Sequence, residues 1–186
     1  MQMLKDAILE RGKALNQDIL LVDSFLNHQV DVALMKAVGE TFAAHFANRG
    51  ITRVVTIESS GIAPASFTAL ALGLPLVIMK KQTSRILNGD LLQTTVRSFT
   101  KGTEYQLSVK HEFLNADDNI LLIDDFLASG EAAFGVITLA KQVGAKISGV
   151  GIVIEKAFQS GHKRLEDAGI ETLHDTTHND YPSYDG

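Results

Sequence analysis

Residues 120–132 read Ile-Leu-Leu-Ile-Asp-Asp-Phe-Leu-Ala-Ser-Gly-Glu-Ala, and no other stretch limits the possible folds as strongly. Four apolar residues, Ile120 to Ile123, follow Asp117-Asp118-Asn119 and stop on two adjacent carboxylates, Asp124 and Asp125. An apolar run without alternation reads as a strand buried on both faces, as in a parallel sheet covered by helices. Ala132, Ala133, Val136, Ile137, Leu139 and Ala140 then recur at helical spacing. The loop from Leu127 to Glu131 therefore joins the carboxyl end of a strand to the amino end of a helix. Open α/β sheets bind ligands at such junctions, because free backbone N–H groups and the helix dipole face an incoming anion. Neighbouring strand residues point to opposite faces, so Asp124 and Asp125 are expected on opposite sides of the strand. At least one should meet a polyhydroxylated ligand or its metal while loop amides hold a phosphate.

The same strand–turn–helix grammar recurs upstream. Val54-Val55-Thr56-Ile57-Glu58 reads as a second buried strand, Ser59-Ser60-Gly61 as a small-residue turn, and the following segment as a helix with Pro64 in its first turn. A second anion-binding loop fits, with a strained peptide expected around Ser59 and Ser60 to aim its amides. Leu76 to Met79 forms a third strand ending in Lys80-Lys81, two cations at the sheet's carboxyl edge. Lys146 to Glu155 forms a fourth, after Gly144 ends the central helix. Alternating strands and helices predict one α/β domain over residues 1–186, with a mostly parallel sheet flanked by helices.

The remaining segments are assigned around that sheet. Met3 to Leu15 is helical, with Gly12 as its end, and Ile19 to Val22 is a short extended piece. Asp23 to Val30 lacks periodicity and reads as a functional loop. Asp31 caps a helix running to about Asn48, with Leu34, Val38, Phe42 and Phe46 on its buried stripe. Roughly residues 81–110 form a projecting hairpin from Gln93–Phe99 and Tyr105–Val109, with a turn at Asn88-Gly89-Asp90. Arg164 to Gly169 suggests a short helix, and the polar tail, residues 174–186, reads as frayed.

Charge and composition exclude several classes. A net charge of −5 argues against broad nucleic-acid binding, so a polyanionic ligand must be met by a local group of cations and amides. No apolar run is long enough to span a membrane, and Met1 to Asp6 lacks the apolar core of a signal peptide. With no cysteine there is neither a disulfide framework nor a thiolate metal site, which suits a cytoplasmic protein.

The central motif resembles that of the purine phosphoribosyltransferases: an apolar strand, two acidic residues, two apolar residues, a small residue, Ser/Thr-Gly and a helix. That resemblance implies the class I phosphoribosyltransferase fold, α/β with a flexible flap or hood, and phosphoribosyl pyrophosphate (PRPP) as a substrate. It places Asp124 and Asp125 at the ribose hydroxyls and wraps Ala128, Ser129, Gly130, Glu131 and Ala132 around the 5-phosphate. It assigns the pyrophosphate to the loop from Glu58 through Ser59, Ser60 and Gly61, with Lys80 and Lys81. Magnesium is expected to arrive with PRPP, because a hard dication suits its oxygens, and the sequence holds no dedicated protein metal site.

The segments 20–29, 56–64 and 154–159 lie in the same order and spacing as in the xanthine branch of that family. By this resemblance Leu20, Asn27 and Lys156 line the base site, and Phe126 is a candidate to stack on the purine. An Asn amide can donate to the 2-oxo group that separates xanthine from hypoxanthine. Ala128 stands where the hypoxanthine-guanine branch carries an acid. The implied substrates are xanthine and PRPP, with a homodimer contact at the first long helix and flap base, and no nucleic acid or membrane partner. A guanine or hypoxanthine transferase and a PRPP-sensing purine repressor are the alternatives. Departures from the pattern are Glu131 beside the phosphate loop, Ala132 in place of a hydroxyl, and the tail beyond about Leu173.

Overall fold

The computed structural model describes residues 1–15, 19–82, 89–98 and 102–177. Helix α1 (Gln2–Arg11) ends at Gly12 and leads to a two-stranded antiparallel pair, β1 (Lys13–Ala14) and β2 (Leu20–Leu21). A π-helical turn, Asp23–Asn27, follows where an aperiodic loop was expected. Its wide turn lets Phe25 and Leu26 both be buried while the Asp23 carbonyl accepts from the N–H groups of His28 and Gln29. That burial is tertiary and has no local period to reveal it. Asp31 caps α2 (Val32–Phe46), its carboxylate accepting from the Leu34 N–H at 3.1 Å, and Leu34, Val38, Phe42 and Phe46 are buried as expected.

The chain then alternates through β3 (Arg53–Ile57), α3 (Ile62–Leu72) and β4 (Leu76–Gln82), with Pro64 in the first turn of α3. An antiparallel hairpin follows, β5 (Leu91–Ser98) and β6 (Thr103–Lys110). Next come a 3-10 turn (His111–Phe113), β7 (Asn119–Leu127), α4 (Glu131–Val143), β8 (Lys146–Glu155), α5 (Gly161–Asp167) and β9 (Thr172–Thr177). The main sheet has the order β5-β6-β4-β3-β7-β8-β9, and the five strands from β4 to β9 are parallel. Helices α1, α2 and α3 cover one face, where Leu4, Met35, Phe42 and Ala65 pack on Val54, Leu121 and Ile123. Helix α4 covers the other, with Val136, Leu139 and Ala140 packed on Val55, Leu122 and Val150. Gly39 lets α2 and α3 close together, since a Cβ there would lie 2.6 Å from the Phe67 backbone.

Two expectations change. The hairpin is not a free projection, because β6 continues the sheet beside β4 and its Leu107 and Val109, with Leu92 and Val96 of β5, are buried in the core under α4. Those apolar residues alternate within a polar stretch, so one face is covered and the other wet. Residues 174–177 of the tail are not frayed: they belong to β9, where Asp175 and Thr176 are buried beside β8. Residues 178–186, together with Asn88, Phe99 and Lys101 of the hairpin reading, lie outside the described residues.

At the end of the sheet opposite the strands' carboxyl termini, Asp118 ties β3 to β7. Its buried carboxylate accepts from Thr52 Oγ1 at 2.9 Å, Arg53 Nε at 2.7 Å and the Asn115 N–H at 2.9 Å. Burial alone would raise this carboxyl, but the Asn115 N–H, Arg53 and Thr52 together hold it below its ordinary value. Asp118 is therefore ionised to lower pH folded than unfolded. Its stabilisation is complete above the unfolded value, near pH 4, and is lost as pH falls through the lower folded value. Asp118→Ala is expected to cost about 2–4 kcal/mol at pH 7, by leaving Arg53 without its carboxylate. Urea unfolding at pH 7 and pH 3.5 checks this: the deficit should shrink in acid, and an equal deficit at both would contradict the assignment.

Candidate functional site

Strands β3 and β7 are neighbours, but the chain leaves them in opposite directions, toward α3 on one face and toward α4 on the other. Their carboxyl ends therefore part to open a crevice, the place where open α/β sheets bind ligands. A cleft of about 260 Å³ lies there, lined by Ile57, Glu58, Ser59, Ser60, Lys81, Asp124, Asp125, Phe126 and Ala132.

Both carboxylates of the central motif sit inside β7 and not beyond its end, and both line this one cleft. Alternation alone would send them to opposite faces. Here each turns toward the next residue of the chain: Asp124 Oδ1 accepts from the Asp125 N–H at 2.9 Å, and Asp125 Oδ1 from the Phe126 N–H at 2.8 Å. Burial at the cleft floor pushes the Asp124 carboxyl well above the usual carboxylate range. The neighbouring Asp125 pushes it further, and Lys81 opposes the shift. Two half-buried carboxylates this close need donors or a cation to hold both charges.

The floor is completed by the turn after β3. The Glu58–Ser59 peptide is cis, at the position where an unusual peptide was expected. Gly61 packs directly on the carboxylates' strand: a Cβ there would lie 2.4 Å from Thr56 Oγ1 and 2.9 Å from Asp124 Oδ1. The two lysines of β4 separate. Lys81 lines the cleft, with its Nζ 5.3 Å from the centre of the Tyr105 ring, whereas Lys80 Nζ pairs with Glu58 at 3.3 Å. Glu58 also accepts from the Lys81 N–H at 2.7 Å, which together with Lys80 holds its carboxyl low against burial. The Tyr105 hydroxyl is pushed up to about 12 by burial and by the charges of Asp124 and Glu131, so it remains a donor.

Across the cleft, Ala128-Ser129-Gly130 turns the chain into α4, with Gly130 at φ 86°. No side chain among the described residues caps this helix start, and the N–H groups of its first turn have no partner within the helix. Ala132, in that first turn, lines the cleft, and free N–H groups at a helix start attract anions. The Glu131 carboxylate, which would repel an anion, turns away: it accepts from Ser129 Oγ and lies 3.4 Å from the Arg164 guanidinium. Arg164 also donates to the Ser129 carbonyl and stacks 4.6 Å from the centre of Phe134. Gly161 donates its N–H to the Ala128 carbonyl at 3.0 Å, in contact so close that a Cβ on Gly161 would lie 2.3 Å from that oxygen. Helix α5 thus braces the turn. Sequence reasoning missed Gly161 and Arg164, although the need to neutralise Glu131 was a signal for a nearby cation.

Of the four base-site candidates, the structure brings two together. Phe126 lines the cleft, and Lys156 Nζ stands 5.7 Å from the centre of its ring, the Lys156 N–H donating to the Leu127 carbonyl at 2.8 Å. Leu20 is buried with α1 and α2 in the core that Phe126 also packs against. Asn27 is exposed at the end of the π-helical turn, and neither it nor Leu20 lines the cleft among the described residues.

The phosphoribosyl transferase domain family matches residues 16–185 of the chain. Xanthine phosphoribosyltransferase of Clostridium botulinum (strain Eklund 17B) is 57% identical over 171 residues, covering 92% of this chain and 90% of the relative. The protein of that name from Clostridium acetobutylicum is 54% identical, with the same coverage of both chains. Among solved structures, adenine phosphoribosyltransferase of Giardia lamblia, complexed with 9-deazaadenine, superposes with a TM-score of 0.79. It shares 23% identity and is covered over 94% of this chain and 97% of its own, a likeness of fold.

Proposed function

The chain belongs to the phosphoribosyl transferase family, and we propose that it transfers the phosphoribosyl group of PRPP to xanthine, giving XMP and pyrophosphate. Similarity to the xanthine phosphoribosyltransferases over nine-tenths of both chains carries the choice of base. The cleft supports the choice of chemistry. The open first turn of α4 would seat the 5-phosphate, and the Ser59-Ser60-Gly61 turn with Lys81 would receive the pyrophosphate. Asp124 and Asp125, between these two anion seats, would take the ribose hydroxyls as donors, which offsets the burial that pushes the Asp124 carboxyl up.

The reaction breaks the bond from the ribose anomeric carbon to the pyrophosphate oxygen and forms one to a purine nitrogen, whose proton is lost. Positive charge develops on the sugar and negative charge on the leaving group. The carboxylates oppose the first and Lys81 the second, while the two loops fix the approach of the base. Lys156 over Phe126 would hold the purine, its ammonium favouring the anionic form of an easily ionised base. Magnesium bound with PRPP would neutralise part of the diphosphate charge. The donors available in the cleft are carboxylate and hydroxyl oxygens, the set that such an ion prefers. Lys80, engaged with Glu58, would act by holding that loop and not by touching the ligand. The same reading makes the protein a cytoplasmic homodimer in purine salvage, supported by the resemblance and by the lack of cysteine.

Comparing XMP, GMP and IMP formation from PRPP and each base tests the proposal. Xanthine should lead by at least about tenfold in kcat/KM, the scale of a site built for an extra polar group; equal or faster use of guanine would end it. Lys156→Ala is expected to lower kcat/KM for xanthine about 10–100-fold with the KM for PRPP little changed. Wild-type kinetics in Lys156→Ala would remove this base pocket.

A further inference from the structure

At the far edge of the sheet, outside the cleft, three side chains from three elements converge on one point. Glu155 ends β8 and is buried, its side chain 7% exposed; His162 comes from α5 and His174 from β9. Their ligand atoms all lie within 4.8 Å of one another. His162 Nδ1 is 3.0 Å from Glu155 Oε2 and hydrogen-bonded to it. His174 Nδ1 is 2.7 Å from the same oxygen, yet it is buried, off the line a hydrogen bond needs, and without a hydrogen-bond partner among the described residues.

Close approach without alignment separates two arrangements. An imidazole that donates to a carboxylate points its N–H at the oxygen. Two ligands of one tetrahedral ion with bonds of about 2.0–2.2 Å instead stand roughly 3.3–3.6 Å apart, with their lone pairs aimed at a third position. The Glu155 and His174 contact is not aligned as a hydrogen bond, and opening it by less than about 1 Å would admit an ion between them. A carboxylate this buried also calls for compensation by donors or a cation. Both histidine side chains keep about a third of their surface exposed, 37% and 34%, although the His174 Nδ1 atom is covered.

We propose that Glu155, His162 and His174 bind one zinc ion, with water completing the coordination. Two imidazole nitrogens and one carboxylate suit zinc and the late first-row divalent metals, whereas magnesium and calcium prefer all-oxygen sets. The ion would fasten α5 and β9 to the end of β8. Helix α5 also supplies Gly161 and Arg164 to the turn before α4, so the fastening stabilises the brace of that turn.

The test is zinc titration of the tag-free full-length chain by calorimetry, repeated with cobalt while its visible absorption is followed. One zinc per chain with a Kd of micromolar or below is expected, with cobalt bands as intense as a four-coordinate site gives. A hundredfold zinc excess over Kd should raise Tm by about 5–10 °C. His174→Ala, His174→Gln and Glu155→Gln should each weaken zinc binding at least about 100-fold. Far-ultraviolet dichroism without metal identifies the variants that remain folded, and the two conservative replacements keep the packing volume. His111→Ala, on the 3-10 turn after β6, should bind zinc as the parent does. No saturable zinc binding, or affinity unchanged in the folded variants, would overturn the site. Neither result bears on PRPP binding, which is measured separately.

Discussion

Asp124→Asn is expected to lower kcat/KM by about 10²–10³ and, at the same time, to raise the melting temperature of the ligand-free protein. The first effect follows from removing charge opposite a developing sugar cation. The second follows from burial beside Asp125, which makes ionised Asp124 costly in the folded state. A carboxyl raised on folding binds its proton more tightly folded than unfolded. It therefore withdraws stability as pH climbs from the ordinary carboxylate value toward the raised one, and the loss is complete above that. The asparagine variant escapes that loss, so its advantage in Tm should be large at pH 7.5 and small near pH 4. Thermal melts across that range, paired with steady-state kinetics, check both halves. A variant with lower Tm at neutral pH, or with activity within tenfold of the parent, would contradict the role given to Asp124.

Gly161→Ala is expected to raise the KM for PRPP about 100-fold, although residue 161 lies outside the cleft lining. The new Cβ would sit 2.3 Å from the Ala128 carbonyl and about as badly, 2.9 Å, from Leu127 Cδ1. The first neighbour is backbone and cannot swing aside, so the turn must move. Displacement of a phosphate seat by about an ångström is worth roughly that factor. The effect should appear in PRPP affinity and leave the preference among bases intact. Unchanged PRPP kinetics in a folded Gly161→Ala protein would show that α5 does not position the turn.

Much of this site was legible in the sequence, for local reasons. Apolar runs ending in polar residues locate β3 and β7, and the small-residue turns followed by helical periodicity locate the two strand-to-helix turns beside the cleft. Asp31 announces α2 because capping is a contact between residues three apart. What stayed hidden depends on contacts across the fold. The π-helical turn at Asp23–Asn27 is set by burial of Phe25 and Leu26 against α1 and α2. That Asp125 lines the same cleft as Asp124 depends on how the carboxyl ends of β3 and β7 part. Lys80 and Lys81 read alike in sequence, but strand geometry gives one to Glu58 and the other to the cleft. The pairing of Glu131 with Arg164 spans 33 residues, and no spacing rule connects them.

The most direct test of the account is calorimetric titration of the full chain with PRPP in the presence of magnesium, alongside Asp125→Asn and Lys81→Ala. One PRPP per chain should bind to the parent, with affinity lost at least about tenfold in each variant. Absence of binding to the parent, or equal affinity in all three, would contradict a cleft built between β3 and β7 to hold an activated sugar phosphate.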